Sequence, residues 1–416
     1  MDQIKKEKRQ FWVILVIVFL GFLGISIPYL IFPALFLNPE YSILPISYTE
    51  PMRALFLGVT LAVYPLGQFI GSPILGSLSD DYGRKPLLVL SLILSAIANL
   101  LTGFAIAWSH LGMLIVCRFI AGLMEGNIAI ARAMGADLTT ISKHKTFGKI
   151  NGASSIAYLI GPLLGGLMTD KSIWEHLTTS TPFYFICIFF FGLAGLSSFL
   201  LEKSATNLLL EARSFWSRIN LIKRMSVLFS NRRLQFLMIT STALTLAIDI
   251  FYEFGPVYLT VKWTLGPAKL ALYNSALCLA LAIGNGWLPT FFSSRISNRI
   301  AIISSISGLI LTLIGVVLTN SPLLMVLLFT LSGLVIGVAV TLLTVKISNS
   351  APTTIQGEVM GVQVSLRVLG DGLICLLGGA LLLISPKLIL IIAALIALAT
   401  LAYYINLSTL HNSRSK

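Results

Sequence analysis

Seven ionisable residues sit inside stretches that are otherwise apolar. Arg118, Glu125 and Arg132 recur at intervals of seven. On an α-helix that spacing brings all three within about 40° of one face. Asp249 and Glu253 stand one helical turn apart, and so do Arg367 and Asp371. Charge in an apolar environment is costly unless it meets a cavity or a partner. A carboxylate there loses the solvation of its charged form, which suits Glu125 to reversible protonation. Asp249 and Glu253 cannot both ionise cheaply at that separation. They would carry a proton or hold a cationic group, unless Glu253 lies at an outer mouth in water. Arg367 and Asp371 are placed to neutralise each other, with reception of an anionic group as the second role of Arg367.

These residues do not make a catalytic set. His110, His144, His176 and His411 fall at or beyond the ends of the apolar stretches. Neither HExxH nor GxSxG occurs, and the phosphate-binding pattern GxxxxGK[ST] is missing, so this chain does not itself use ATP. Cys117, Cys187, Cys278 and Cys375 are scattered singly, without metal or redox spacing, and read as small packing residues. No enzyme activity, metal or cofactor is expected.

The elements that must position the charges follow from composition. The 416 residues are 56% hydrophobic and 11% charged, where a soluble domain carries about 25% charge. A lipid-facing surface accounts for that excess. Windows of about 20 apolar residues give twelve candidate helices, at roughly 11–36, 54–79, 87–107, 110–136, 146–169, 182–201, 234–260, 267–292, 300–319, 323–347, 358–384 and 387–405. The fold class is all-α and polytopic. Continuous apolar runs argue against a β-barrel. Thr181-Pro182, Ser321-Pro322 and Ser385-Pro386 each place a capping hydroxyl before a proline at the first helical position. Thr353 and Gln356 form a possible capping box before the eleventh span. The basic start and first apolar run are read as the first span, not a cleaved leader, because the run is long and contains Pro28 and Pro33.

The net charge of +13 sets topology. With a cytoplasmic N-terminus, only Arg53, Lys171, Lys262, Lys269 and Lys387 face outward, against twenty-one basic residues inside. Both termini are then cytoplasmic, and nucleic-acid binding is not expected. The longest polar interval, 202–233, separates residues 1–201 from 234–416, six spans from six. Its Trp216, Ile219, Leu221, Ile222 and Val227 among basic residues suit either an amphipathic segment on the membrane surface or a loose linker. Two six-helix halves joined in this way are the plan of repeat-built transporters. Arg295 and Arg299, between the eighth and ninth spans, faintly echo Asp81 and Lys85 between the second and third.

That second loop reads GSLSDDYGRKP, Gly76 to Pro86. Small Gly76 permits close helix approach, Gly83 permits a tight turn, and Pro86 opens the next helix. The spacing Gly76-x-Leu78-x-Asp80-x-x-Gly83-Arg84-Lys85 resembles the signature G-x-L-x-D-R-x-G-R-K of the major facilitator superfamily, with Asp81 where the family has a basic residue. The resemblance implies a latch between the two halves. Asp80 would then face the start of the eleventh span, and Arg84 would pair with Asp137 at the end of the fourth. Arg118 followed by Gly122 resembles the family's fourth-span signature, which links that arginine to proton transfer.

In the fifth span, Gly148, Ala157, Gly161-Pro162 and Gly165-Gly166 follow G-x8-G-x3-G-P-x2-G-G with one alanine. This resembles the drug:proton antiporter branch, and within it tetracycline-efflux-type proteins. Small residues there form a groove for a neighbouring helix. The resemblance implies proton-coupled export of a small organic molecule by alternating access in a bacterial inner membrane, by a monomer. The proton would be carried by Glu125, Asp249 or Glu253, with Arg118 beside it. Uptake of a metabolite with protons, or export of a native product such as a siderophore, are the alternatives. Tyr29, Gln68, Asn127, Tyr158, Tyr252, Asn274, Gln363, Arg367 and Asp371 are candidates to line the substrate path.

Overall fold

The computed structural model describes residues 2–45, 47–138, 143–202, 232–293, 295–350 and 356–413. Among the described residues every regular element is a helix. The first span is α1 (Asp2–Ser26), a 3-10 turn at Pro28–Leu30, and α2 (Ile31–Leu37). The second and third are α3 (Glu50–Tyr82) and α4 (Arg84–Ala107). The fourth is α5 (Leu111–Met124) followed by α6 (Gly126–Asp137). The fifth and sixth are α7 (Lys143–Leu167) and α8 (Thr181–Leu200). Then come α9 (Arg232–Trp263), α10 (Pro267–Gly286) with the short α11 (Leu288–Ser293), α12 (Asn298–Leu318), α13 (Pro322–Ser350), α14 (Gln356–Leu381) and α15 (Pro386–Ser413). Among the described residues eleven helical stretches are long and apolar enough to cross a bilayer, and Gly152–Leu167 within α7 is a shorter apolar one. This is an all-α, polytopic membrane protein.

Three apolar runs that read as single helices are interrupted. The first breaks at Ile27-Pro28, because proline has no N–H to continue the ladder; the Ile27 amide still bonds to Leu23 O at 2.9 Å. The fourth breaks at Glu125, whose amide bonds to Gly122 O at 3.0 Å, a tighter i→i−3 turn. The eighth breaks at Trp287. Ser321 Oγ accepts from the Leu324 amide at 3.5 Å, and Ser385 Oγ from the Lys387 amide at 3.2 Å. The expectation for Thr181 needs correcting. Ser180 takes the N-cap position, and Thr181 Oγ1 instead accepts from the Thr178 amide at 2.9 Å. Thr353 and most of the interval 202–233 lie outside the described residues.

The residues divide into two compact units. The first gathers Met1–Thr49, Val59–Asn220 and Gly266–Ala271. The second gathers Glu50–Gly58, Leu221–Leu265 and Leu272–Lys416. Short segments of α3 and α10 therefore group apart from the rest of their helices. In the second unit, bare backbone explains it: a Cβ on Gly58 would strike Gly379 Cα. In the first, Gly166 packs the same way on Ala268 and Ala271.

Within the first unit, α4 packs on α8, and α1 on α7. Ile14, Ile17, Ile27, Leu88, Leu92, Ala131 and Phe190 share its core. Within the second unit, α9 packs on α15 and α12 on both α13 and α15. Phe251, Phe254 and Phe329 are fully buried there. Large apolar side chains such as Phe199, Leu318 and Leu323 point outward, as a lipid-facing surface requires. Cys117, Cys187, Cys278 and Cys375 are free and buried.

Candidate functional site

The site in the first unit is built by close approach of the second and fourth spans. A Cβ on Gly71 would collide with the carbonyl of Leu123, and one on Gly122 with the carbonyl of Tyr64. Only hydrogen side chains allow the two backbones to touch there. That contact sets Tyr64 against Glu125: the phenol donates to Glu125 Oε2 at 2.6 Å, and both side chains are buried. Glu125 Oε1 has no hydrogen-bond partner among the described residues. The carboxyl thus sits on the break between α5 and α6, half satisfied.

Arg118, about two helical turns earlier, is also buried. Its Cζ stands 4.2 Å from the Tyr64 ring centroid and 5.0 Å from that of Phe32. A desolvated cation over an aromatic face gains about 2 kcal/mol, which helps to hold a charge this deep. Phe32 reaches that position because the chain bends at Pro28. On the other side of Glu125, the Arg132 guanidinium stands 5.5 Å over the Phe22 ring, which packs on Tyr158 at 5.4 Å. Both arginines lie within electrostatic reach of the carboxyl. Asn127 donates to Ser95 Oγ at 3.3 Å, and its own carbonyl oxygen lacks a partner among the described residues. Gln68 lies half-buried one turn beyond Tyr64, and Tyr29 lies half-buried in the 3-10 turn.

Of the predicted residues, the structure joins Arg118, Glu125 and, through Arg132, Tyr158. The sequence did not single out Tyr64, Phe22 or Phe32, and it offered Arg132 only as a neighbour of Arg118 and Glu125 on one helix face. One available signal was the repeated G-x3-G of the fourth span, Gly122 and Gly126. It recurs in the tenth as Gly333 and Gly337, which contact backbone at Leu277 and Gly284 of the eighth.

The second unit holds a separate polar cluster. Arg367 Nη2 donates to Asp249 Oδ1 at 3.3 Å, joining α14 to α9. The arginine side chain is 59% exposed and the aspartate 5%. Asp249 Oδ2 has no hydrogen-bond partner among the described residues. Arg367 Nη2 thus meets a partner across the helix pair, and its helical neighbour Asp371 also lies within its electrostatic reach. Asp371 instead groups with Glu253 and Cys375, their ligand atoms all within 4.8 Å of one another. Gln363 Nε2 donates to Ser241 Oγ at 2.8 Å. Asn274 is buried against Cys278, and Tyr252 lies half-buried on α9. Glu253 and Asp371, from different spans, are therefore close, and Asp249 lies within electrostatic reach of Asp371 as well.

At the loop between α3 and α4, Arg84 Nε donates to Asp137 Oδ2 at 2.6 Å, with Nη2 3.5 Å from Oδ1. Lys85 Nζ donates to Leu201 O at 2.6 Å, capping the end of α8. Gly83 has φ 96°, a backbone that side chains with a Cβ rarely adopt. Among the described residues a Cβ on Gly76 would meet nothing within 4 Å, so they show no close approach there. The side chains of Asp80 and Asp81 lie outside the described residues.

In α7, a Cβ on Gly161 would strike Ser26 Oγ, and one on Gly165 would strike Ile27 O. Ser26 Oγ in turn donates to Ala157 O at 3.1 Å. The small residues around Pro162 thus receive the break of the first span. Gly148 lies in the first part of α7.

The sequence profile of the Major Facilitator Superfamily matches residues 14–374. Tetracycline resistance protein, class H, of Pasteurella multocida is 38% identical over 178 residues, 42% of this chain and 40% of its own length. The chain therefore spans less than half of that relative in the match. The MFS-type transporter YuxJ of Bacillus subtilis is 28% identical over 342 residues, 80% of this chain and 83% of that one. Among solved structures, the human organic anion transporter MFSD10 (TETRAN) superposes with a TM-score of 0.67 at 17% identity, covering 96% of this chain and 99% of that one. A D-xylose-proton symporter gives 0.71 at 15% identity, covering 95% and 96%. The fold, the loop at Gly76–Pro86 and the profile match together make this chain a member of the Major Facilitator Superfamily.

Proposed function

We propose that this protein is a secondary active transporter that exports a small organic molecule in exchange for protons by alternating access. The observation that carries the reading is Glu125. It is a buried carboxyl with one oxygen held by Tyr64 and the other without a hydrogen-bond partner, and it sits at a helix break between two arginines. Such a group can take a proton when one side is open and release it to the other. The packing of Gly161 and Gly165 around the first-span break and the partial identity to tetracycline resistance proteins support export over uptake.

In this reading residues 1–201 and 234–416 are the two halves, joined by 202–233. Both termini are cytoplasmic, the membrane is a bacterial inner membrane, and the protein works as a monomer without nucleic-acid partners. The Arg84–Asp137 pair belongs to the gate latch, with Gly76, Asp80, Gly83 and Lys85 in the same loop. Asp249, Glu253 and Asp371 form a second group able to take a proton or a cation.

Inverted vesicles with an imposed pH gradient and a pH-sensitive dye test this. A panel of small organic compounds, tetracycline included, should contain one whose addition dequenches the dye. Glu125→Gln should remove that response. Retention of the full response in both Glu125→Gln and Asp249→Asn would overturn the assignment. A response of opposite sign would mean symport.

A further inference from the structure

One end of the second unit concentrates cations. Arg299 lies in the first turn of α12, and Lys346 lies near the end of α13. Arg233 of α9 and Arg299 are both within electrostatic reach of the Lys346 ammonium. Arg299 is also within reach of the Tyr404 hydroxyl on α15. Lys346 Nζ donates to Tyr404 Oη at 2.8 Å, and Tyr404 is fully buried and stacked on Phe236 of α9. Four helices of one unit therefore meet at this point.

Among the described residues no carboxylate pairs with Arg299 or Lys346. The Arg299 Nε is buried without a hydrogen-bond partner. The dipole of α12 does not help, because Arg299 occupies its N-terminal turn, where a positive side chain is disfavoured and an anion favoured.

The hydrogen-bonding inventory has the same sense. Arginine and lysine only donate, and Tyr404 Oη already accepts from Lys346, so its own proton remains to be given. A cluster of donors needs a ligand of acceptors. A tetrahedral phosphate offers several oxygens and negative charge together.

We propose that this end of the second unit binds a phosphate group between Arg299 and Lys346, beside Tyr404. The phosphate is supplied by the head group of an anionic phospholipid or by free phosphate. Basic pockets between spans at the cytoplasmic face suit the first source.

Native mass spectrometry of the detergent-purified full chain, with phosphatidylglycerol or phosphatidylcholine added, reads the lipid arm. The unfolding midpoint in inorganic phosphate, against chloride of equal ionic strength, reads the other. Preferential retention of phosphatidylglycerol assigns the lipid. Stabilisation by inorganic phosphate without lipid preference assigns the free anion. The double variant Arg299→Gln/Lys346→Gln should weaken the responding ligand about thirtyfold, from two lost cationic contacts. Lys346→Arg should keep binding. If the wild-type chain gives neither response, or if the double variant binds as the wild type does, the site does not exist. Should the double variant fail to fold, the wild-type arms and Lys346→Arg still decide.

Discussion

The phenol of Tyr64 and the carboxyl of Glu125, from neighbouring spans, are joined by a 2.6 Å hydrogen bond between buried side chains. Glu125→Gln keeps the shape and removes the titratable group. Proton movement on substrate addition should fall to background while the protein stays folded. Tyr64→Phe leaves Glu125 Oε2 without its donor in a buried site, at a cost of about 1–3 kcal/mol. A lower unfolding midpoint in detergent checks this.

Gly122 and Gly76 make opposite predictions. Gly122 abuts the Tyr64 backbone, so Gly122→Ala must push α3 away from α5. Overpacking of that kind costs about 1–3 kcal/mol, and it should also displace Tyr64 from Glu125. Gly76 is helical with open space around its Cα. Gly76→Ala should stabilise by about 0.5–1 kcal/mol. Melting curves of the two variants measure the contrast.

Arg84 and Asp137 are partly exposed, 20% and 47%, so their bond should add no more than about 1 kcal/mol to stability. A latch would reveal itself in turnover instead. Asp137→Asn should lower the transport rate far more than the unfolding midpoint. Exchanging the charges, Arg84→Asp with Asp137→Arg, should recover part of the rate. Equal losses in rate and stability in Asp137→Asn would reduce the pair to a structural contact.

Asp249 is buried and Arg367 is more than half exposed. The two single variants should therefore differ. Arg367→Gln leaves a buried carboxylate without its cation and should be the more destabilising. Asp249→Asn leaves an arginine that water can reach. The double variant should be more stable than Arg367→Gln alone, as removal of both partners spares the unpaired charge. A double-mutant cycle on the unfolding midpoint gives the coupling.

The spans are legible in the sequence because length and apolarity are read along one dimension. The charged positions inside them are legible for the same reason, as is the loop from Gly76 to Pro86. Partners are another matter. Sequence offers Asp371 to Arg367 because they are one turn apart, and packing supplies Asp249 from another helix. Tyr64 carries no mark of its own. It becomes part of the site only because Gly122 admits its backbone. The break at Glu125 has no proline to announce it, unlike the one at Pro28. Asp81, where the family pattern departs, lies among side chains outside the description.

Arg84 and Lys85 are consecutive in the chain and grip different things. One holds Asp137 at the end of α6; the other holds the last carbonyl of the sixth span, at Leu201. Glu202 follows at once and meets Lys6 of α1 at 3.3 Å. A tug on the polypeptide beyond Glu202 is thus felt within one residue by the turn at Gly83. Two adjacent side chains make that turn a mechanical junction of the third, fourth and sixth spans, with the first span moored beside it.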